Sequence, residues 1–146
     1  MALEELYREV ILDHYRNPRN RAGLAHADAH AEGVNPLCGD EISIDLHFDG
    51  ETVDGVSVRG QGCSISQSSA SMMGEAIKGK SKQEIIELSH RFKSMLSTEE
   101  GDLELDESKP GSVLGDLEAL QGVKNYPVRI KCASLPWATL EDALSG

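Results

Sequence analysis

The sequence predicts an α+β protein in which a β-hairpin lies between helices, about five in all. Three observations predict this fold class. Apolar residues recur at helical spacing near the N-terminus, they alternate with polar residues from residue 42 to 48, and helical spacing returns after residue 63. With 146 residues, and with no repeat or interdomain linker, the chain suits one domain around a single core. We therefore expect one domain over residues 1–146.

The first element is an amphipathic helix that ends at Asn17-Pro18, because proline disfavours a helical conformation in the residue before it. Its apolar stripe consists of Leu3, Leu6, Tyr7, Val10, Ile11, His14 and Tyr15. The next segment, residues 22–33, is rich in Ala, His and Gly without a clear period. It favours a short edge strand only weakly.

A β-hairpin is the second prediction. Its first strand is half-buried, because Ile42, Ile44, Leu46 and Phe48 alternate with polar residues. Asp49-Gly50 is a turn signal between this strand and the one that follows. The apolar residues of the returning strand are Val53, Val56 and Val58.

Four helical patterns follow the hairpin. One begins after Cys63 and stops near Gly79, and the next begins at a capping box formed by Ser81 and Glu84. Shorter and longer helices are predicted over residues 114–120 and 128–144.

An acidic stretch precedes the third of these helical patterns, and a proline lies inside the fourth. Six acids lie between Glu99 and Glu107, which predicts a solvated loop ahead of the short helix. Pro136 falls inside the last helix and cannot donate a hydrogen bond to the carbonyl of Cys132. We expect a helical irregularity beside that cysteine.

The charge of the chain excludes some partner classes. Its formal net charge is −11, from 25 acids and 14 bases, so nucleic acids and anionic membranes would be repelled. A partner with a basic docking face fits better, although acidity that only supports solubility is the alternative. No apolar run reaches membrane-spanning length, and the acids within the first five residues do not fit a signal peptide. We expect a cytoplasmic protein.

The three cysteines, Cys38, Cys63 and Cys132, lie at predicted junctions between elements. Their spacings of 25 and 69 residues match no zinc-finger or CxxC pattern. Cys38 precedes a strand, Cys63 lies at a helix N-terminus, and Cys132 follows the cations Arg129 and Lys131. Helix N-termini and cations favour the thiolate form. The alternative is that all three are inert core residues.

Asp40 completes a candidate metal set of three thiols and one carboxylate. Thiolates suit zinc or iron, and the carboxylate is the ligand of the four that is displaced most easily. An Asx-turn or a surface carboxylate is the alternative for Asp40. The histidines are left out of the set because two of them have positions that favour packing or exposure and the other three have no metal-ligand spacing to a cysteine. They are His14, His26, His30, His47 and His90.

Four stretches together carry a resemblance to a known family. They are YREVILDHYRNPRN at residues 7–20, CGD at 38–40, GCSIS at 62–66 and IKCASLPW at 130–137. In this order they resemble the U-type iron–sulfur cluster assembly proteins, the IscU/SufU/NifU-N family. The resemblance runs through nearly the whole chain.

Within this family the chain resembles the SufU branch more than the IscU branch. IscU-type scaffolds have an LPPVK motif before the third cysteine and a histidine directly preceding it. Here the corresponding residues 125–130 read NYPVRI, and Lys131 precedes the cysteine. The acidic stretch and short helix, about residues 98–120, look like the insertion that marks the SufU branch.

The resemblance implies a three-stranded antiparallel sheet covered by helices, and a zinc ion held by Cys38, Asp40, Cys63 and Cys132. It also implies a SufS-type cysteine desulfurase as partner, with Cys38 accepting its persulfide sulfur, and Fe–S assembly machinery or apo-proteins as later recipients. The chain would then be a sulfur-transfer partner rather than a stand-alone enzyme.

How Cys38 becomes available is a hypothesis. A partner residue that replaces it in the ligand set would free it as nucleophile, and Arg129 or Lys131 would stabilise the anionic sulfur. Solvated helix-end charges are the alternative for both cations. Two other functions stay open: a scaffold that assembles a [2Fe–2S] cluster on the same ligands, and a purely structural zinc site.

Overall fold

Strands and helices occupy separate parts of the chain, as the sequence predicts. The protein is described from a computed structural model, which covers residues 3–36, 39–96, 109 and 114–145. In chain order the elements are α1 (Leu3–Arg16), β1 (Ala29–Asn35), β2 (Asp40–Asp49), β3 (Thr52–Gln61), α2 (Ser64–Ile77), α3 (Lys82–Leu96), a 3₁₀ helix (Gly115–Asn125) and α4 (Pro127–Ser145). The predicted α+β fold with three antiparallel strands and five helices is confirmed.

The sheet has the strand order β1-β2-β3, with both pairs antiparallel. Gly50 adopts a φ of +65° in the predicted turn between β2 and β3. The inner face is buried as the alternation predicts, and it consists of Ile42, Ile44, Leu46, Val53, Val56 and Val58. The register pairs Asn35 with Asp40, so the connection from β1 to β2 spans residues 36–39. This short connection contains Cys38, which lies outside the described residues.

Helices α2 and α4 cover the inner face, with α2 against β3 and α4 against β1 and β2. The core is mostly aliphatic, with methionines as filler, because the chain has few aromatic residues. Trp137 of α4 and Phe92 of α3 are fully buried and stacked, with ring centroids 4.9 Å apart. This stack attaches α3 to the helix that carries Cys132.

The helix boundaries mostly follow the predicted signals. At the start of α3, the Ser81 amide donates to Glu84 Oε1 (3.0 Å) and the Glu84 amide donates to Ser81 Oγ (3.2 Å), which confirms the capping box. The helix expected over residues 114–120 is a longer 3₁₀ helix that runs to residue 125. The closing helix runs from Pro127 to Ser145 through Pro136, so the irregularity expected beside Cys132 does not interrupt it.

Two further sequence predictions concern the acidic loop and the lack of a membrane-spanning segment. The solvated loop predicted over residues 98–111 lies outside the described residues, except for residue 109. Among the helices of the described ranges, none combines the length and apolarity needed to cross a bilayer.

An ion pair between α3 and α4 makes stability depend on acid pH. Glu141 accepts hydrogen bonds from Lys93 Nζ (2.8 Å) and from the buried Ser89 hydroxyl (2.8 Å). Burial raises the pKa of Glu141, but these bonds and the Lys93 charge outweigh it, so its pKa lies below the ordinary value of 4.5. A carboxyl group whose pKa is lowered by folding stabilises the fold at pH values above its ordinary pKa. This contribution is lost as the pH falls through the pKa that the group has in the folded protein.

We expect Glu141→Gln to lower the free energy of unfolding at pH 7 by about 0.5 kcal/mol, since the pair is partly exposed. The difference from the parent protein should vanish in acid, below the folded pKa. Urea unfolding at several pH values measures this, with the exposed Glu87→Gln as control. A deficit that persists unchanged in acid would show that packing rather than charge is responsible.

Candidate metal centre

Asp40, Cys63 and Cys132 come together where three elements meet. Asp40 begins β2, Cys63 lies between β3 and α2, and Cys132 lies in the second turn of α4. One carboxylate oxygen and the two sulfur atoms all lie within 4.8 Å of one another. Asp40 and Cys132 are buried, at 1% and 0% exposure, while Cys63 is half-buried. Three of the four predicted ligands therefore converge, and the fourth, Cys38, lies outside the described residues.

The chain reaches this point through Gly62, which leads from β3 into α2. Its φ of +149° is one that residues with a side chain rarely adopt. A Cβ atom at this position would lie 2.2 Å from Asp40 Oδ1 and 2.9 Å from Asp40 Cα. Glycine is therefore required for the backbone to pass directly against Asp40.

Cys63 is the N-cap residue of α2, with an extended conformation (φ −72°, ψ 167°). Its backbone amide donates a hydrogen bond to Asp40 Oδ1 at 2.9 Å. The N-terminus of a 14-residue helix presents free amide groups and the positive end of the helix dipole. Both favour negative charge on the Asp40 carboxylate, which accepts a hydrogen bond from this helix end.

The Asp40 carboxylate is held by several donors. Oδ1 accepts from the Cys63 amide and from Ser66 Oγ (3.0 Å), and Oδ2 lies 3.4 Å from the Asn35 side-chain amide. Burial raises the pKa of Asp40, but hydrogen bonds from the Cys63 amide, the Cys132 thiol and the Ser66 hydroxyl outweigh it, so the pKa is lowered. The carboxylate is thus ionised and fixed in orientation.

Asn35 and Ser66 contact the Asp40 carboxylate, and the sequence prediction of the site did not include them. The Asn35 side-chain amide also lies 3.7 Å from Cys132 Sγ, so it contacts two of the three converging residues. Ser66 is the third residue after the N-cap, a position that often returns a side chain to the helix start. The position of Ser66 relative to the helix start could therefore have been recognised in the sequence. Asn35 is identified only by its pairing with Asp40 across β1 and β2.

Of the two predicted supporting cations, the structure brings only Arg129 to the thiols. The negative charge of Cys63 and a hydrogen bond with Cys132 raise the pKa of Arg129, although its side chain is exposed. Lys131 is also exposed, and it makes no hydrogen bond or ion pair within the described part of the chain.

His14 lies elsewhere and is packed, as expected. It is buried in α1, with Nδ1 2.8 Å from Ser71 Oγ and Nε2 2.9 Å from Asp116 Oδ2. Both of its ring nitrogens are therefore already engaged in hydrogen bonds.

The three converging side chains fit a tetrahedral zinc ion. Bonds of 2.0–2.3 Å from zinc place neighbouring ligand atoms about 3.5 Å apart, so small side-chain rotations from the present separations suffice. Two thiols and one carboxylate can all bind in deprotonated form, and the sequence predicts Cys38 as the fourth donor. Thiolates also ligate iron–sulfur clusters, so this donor set does not by itself choose between the two. The centre is a candidate metal site whose converging residues come from distant parts of the chain.

Comparison with known proteins then gives the family. The family described as NifU-like N terminal domain matches residues 6–133. The chain therefore belongs to this family, and it is an iron–sulfur cluster assembly protein of the SufU/IscU type. The resemblance stated from the sequence motifs is confirmed.

Two relatives illustrate the branches of the family. The zinc-dependent sulfurtransferase SufU of Bacillus subtilis (strain 168) is 45% identical over 143 residues, covering 98% of this chain and 92% of the relative. The iron–sulfur cluster assembly scaffold protein IscU of Streptococcus pyogenes serotype M1 is 37% identical over 142 residues, covering 97% and 84%.

Solved structures agree with the fold. A crystal structure described as that of an iron–sulfur cluster assembly scaffold protein for the SUF system, from Fervidobacterium islandicum AW-1, has a TM-score of 0.81. It is 38% identical, and the match covers 98% of this chain and 99% of that one. A NifU-like N-terminal protein from Brucella abortus, at 22% identity and a TM-score of 0.81, shares the fold.

Proposed function

We propose that this chain is a zinc-dependent sulfurtransferase that accepts persulfide sulfur from a SufS-type cysteine desulfurase through Cys38. The observation that carries the proposal is the convergence of Asp40, Cys63 and Cys132, with their ligand atoms within 4.8 Å. The ligands of the zinc ion would be these three residues and Cys38. The name of the Bacillus subtilis relative, a zinc-dependent sulfurtransferase, supports the same activity here.

The donor set suits a reactive site better than an inert one. Structural zinc sites mostly use cysteine and histidine alone, whereas this one includes a carboxylate. Zinc, when bound, holds thiols deprotonated at neutral pH and has no redox chemistry of its own. The chain adds the α2 N-terminus and Arg129, which both favour anionic sulfur near Cys63.

Sulfur transfer is a single displacement. The Cys38 thiolate attacks the outer sulfur of the desulfurase persulfide, a new S–S bond forms on Cys38, and the old S–S bond breaks. The electron pair of the broken bond leaves with the desulfurase cysteine as its thiolate, and the proton of the persulfide stays on the transferred sulfur. The step is chemically the same as thiol–disulfide exchange and needs no external oxidant or reductant.

The test is to mix the zinc-loaded chain with a SufS-type desulfurase and L-cysteine. We expect faster alanine formation than with the desulfurase alone, and a chain whose intact mass has gained one sulfur atom that dithiothreitol removes. A chain that neither accelerates the desulfurase nor gains sulfur would contradict the proposal.

The second candidate function is a scaffold on which a [2Fe–2S] cluster is assembled and passed to apo-proteins. The similarity to the Streptococcus pyogenes scaffold IscU favours it, and the same thiolates and carboxylate can ligate such a cluster. Against it stand the sequence differences before the third cysteine, with Lys131 in place of a histidine.

The variant Asp40→Ala distinguishes a reactive site, whether for sulfur transfer or for cluster assembly, from a purely structural zinc site. In a structural site, removal of the carboxylate should lower zinc content and thermal stability together. In the transfer site, we expect sulfur turnover to fall at least tenfold, the order of effect of losing one transition-state contact, with a trapped persulfide or cluster in the variant. Metal analysis, melting curves and desulfurase assays on one preparation distinguish the outcomes.

Arg129 should contribute to sulfur transfer, since its guanidinium lies beside both described thiols. We expect Arg129→Gln to slow sulfur uptake roughly tenfold, the effect of losing one charge-assisted contact at an exposed site. Lys131→Gln removes the same charge two residues away and should leave the rate unchanged. Equal losses in both variants would mean that overall charge, not contact with the thiols, is responsible.

A further inference from the structure

The outer face of the sheet carries a cluster of histidines and carboxylates far from the cysteine centre. His26 and Asp28 precede β1, His47 lies near the end of β2, and Asp54 lies in β3. His47 is seven residues after Asp40 on the same strand, which places it about 23 Å from the metal centre. The cluster is therefore a separate feature of the molecule.

Two imidazole nitrogens face the two oxygens of a single carboxylate. His26 Nε2 lies 3.3 Å from Asp28 Oδ1, and His47 Nε2 lies 3.8 Å from Asp28 Oδ2. The two rings are arranged edge to face, with centroids 5.9 Å apart. The backbone amide of Phe48 donates to Asp28 Oδ2 at 2.8 Å and fixes the carboxylate against the sheet.

The other nitrogen of His47 is already committed. Nδ1 donates a hydrogen bond to Asp54 Oδ1, since a carboxylate only accepts. In the neutral ring this bond leaves Nε2 as an acceptor that faces the Asp28 carboxylate. Two acceptors that face each other favour a positive group between them, either a proton on Nε2 or a bound cation. The hydrogen bond to Asp54 and the charges of Asp54 and Asp28 raise the pKa of His47, so this ring favours positive charge. A histidine that binds a metal through one ring nitrogen usually donates its other ring N–H to a carboxylate. Asp54 has this relation to His47.

We propose that His26, Asp28 and His47 bind a divalent transition-metal ion of the imidazole-preferring class, such as Ni²⁺, Zn²⁺ or Cu²⁺. Two imidazoles and one carboxylate are a donor set that these ions accept, with water in the remaining positions. Asp54 is the positioning residue, acting on the ion through His47. The His26 side chain is 76% exposed and can rotate onto an ion held over Asp28. The net charge of −11 adds a general attraction for cations.

His30 provides a matched control on the same face of the sheet. Its Nδ1 lies 2.6 Å from Asp45 and its Nε2 3.7 Å from Glu32, so each nitrogen faces a different carboxylate. Its side chain is 51% exposed, a fraction between those of His47 and His26, and Arg59 Nη2 lies 3.4 Å from the other oxygen of Asp45. Among the described residues, no second imidazole faces its carboxylates.

The experiment is calorimetric titration of the zinc-loaded chain with Ni²⁺, after free zinc has been removed, so that the cysteine centre is already filled. We expect one Ni²⁺ per chain, with affinity reduced at least tenfold in His26→Gln and in His47→Gln and unchanged in His30→Gln. Asp54→Asn should weaken binding by about tenfold, the loss expected of an outer-sphere partner.

Absence of Ni²⁺ binding would overturn the proposal and leave a proton between His47 and Asp28. Equal affinity in the parent protein and in both cluster variants would also overturn it, as would an equal loss in His30→Gln. His26→Gln keeps the test valid if His47→Gln is poorly folded, because the exposed His26 side chain contributes little packing.

Discussion

Cys38→Ala is expected to abolish sulfur uptake and activation of the desulfurase. The proposed step forms its new S–S bond on the Cys38 sulfur, and alanine offers no nucleophile in its place. Because a missing nucleophile removes the chemical step itself, we expect a loss of at least about 10³-fold. The measurement is the rate of alanine formation, with intact-mass detection of sulfur on the chain.

Position 38 is suited to this role by its place in the sequence. It is two residues before Asp40, and two residues of chain span at most about 7 Å, so its thiol can reach the metal ligands. Cys132→Ala serves as comparison, because it removes a buried ligand and keeps the proposed nucleophile. It should lose zinc. Unchanged desulfurase activation by Cys38→Ala would rule out Cys38 as the acceptor.

Gly62→Ala is expected to destroy the metal centre and to destabilise the fold by about 3 kcal/mol or more. The added Cβ would lie 2.2 Å from Asp40 Oδ1 and 2.9 Å from Asp40 Cα, and the second of these atoms belongs to the backbone of β2. The φ of +149° adds strain for any residue with a side chain. Relief of this clash requires a shift of Asp40 or of the Cys63 amide that holds it.

Chemical unfolding and zinc content measure this effect together. The control is Gly122→Ala, because a Cβ at Gly122 meets no atom within 4 Å. We expect the control to match the parent protein or to be slightly more stable. If Gly62→Ala bound zinc and unfolded like the control, the close passage of the chain against Asp40 would be incorrect.

The sequence predicted the hairpin well and the edge strand poorly, for a physical reason. In β2 and β3, large apolar residues alternate with polar ones, so the pattern is clear. In β1 the inward positions are Ala29, Ala31 and Gly33, because α4 passes close to this strand. A Cβ at Gly33 would lie 2.1 Å from Thr139 Oγ1. Small residues give only a weak hydrophobic alternation, so the sequence pattern does not locate this strand. The reason for the small residues is contact with α4, which follows the strand by about a hundred residues.

The candidate site also contains some residues that the sequence predicted and others that only the structure identifies. Ligand chemistry is readable in the sequence, so Asp40, Cys63 and Cys132 could be predicted. Arg129 and Lys131 were not separated, although residues three apart on a helix share a face and adjacent residues do not. That rule favours Arg129 beside Cys132, as the structure shows. Asn35 and the histidine cluster depend on strand register, which the sequence pattern leaves undetermined.

The proposed zinc centre is tested most directly by the metal content and visible absorption spectrum of the protein purified without added iron or sulfide. We predict about one zinc per chain and no visible chromophore, since one tetrahedral ion satisfies Cys38, Asp40, Cys63 and Cys132. Iron with acid-labile sulfide and a brown colour would contradict it, and would identify the centre as a cluster-assembly scaffold.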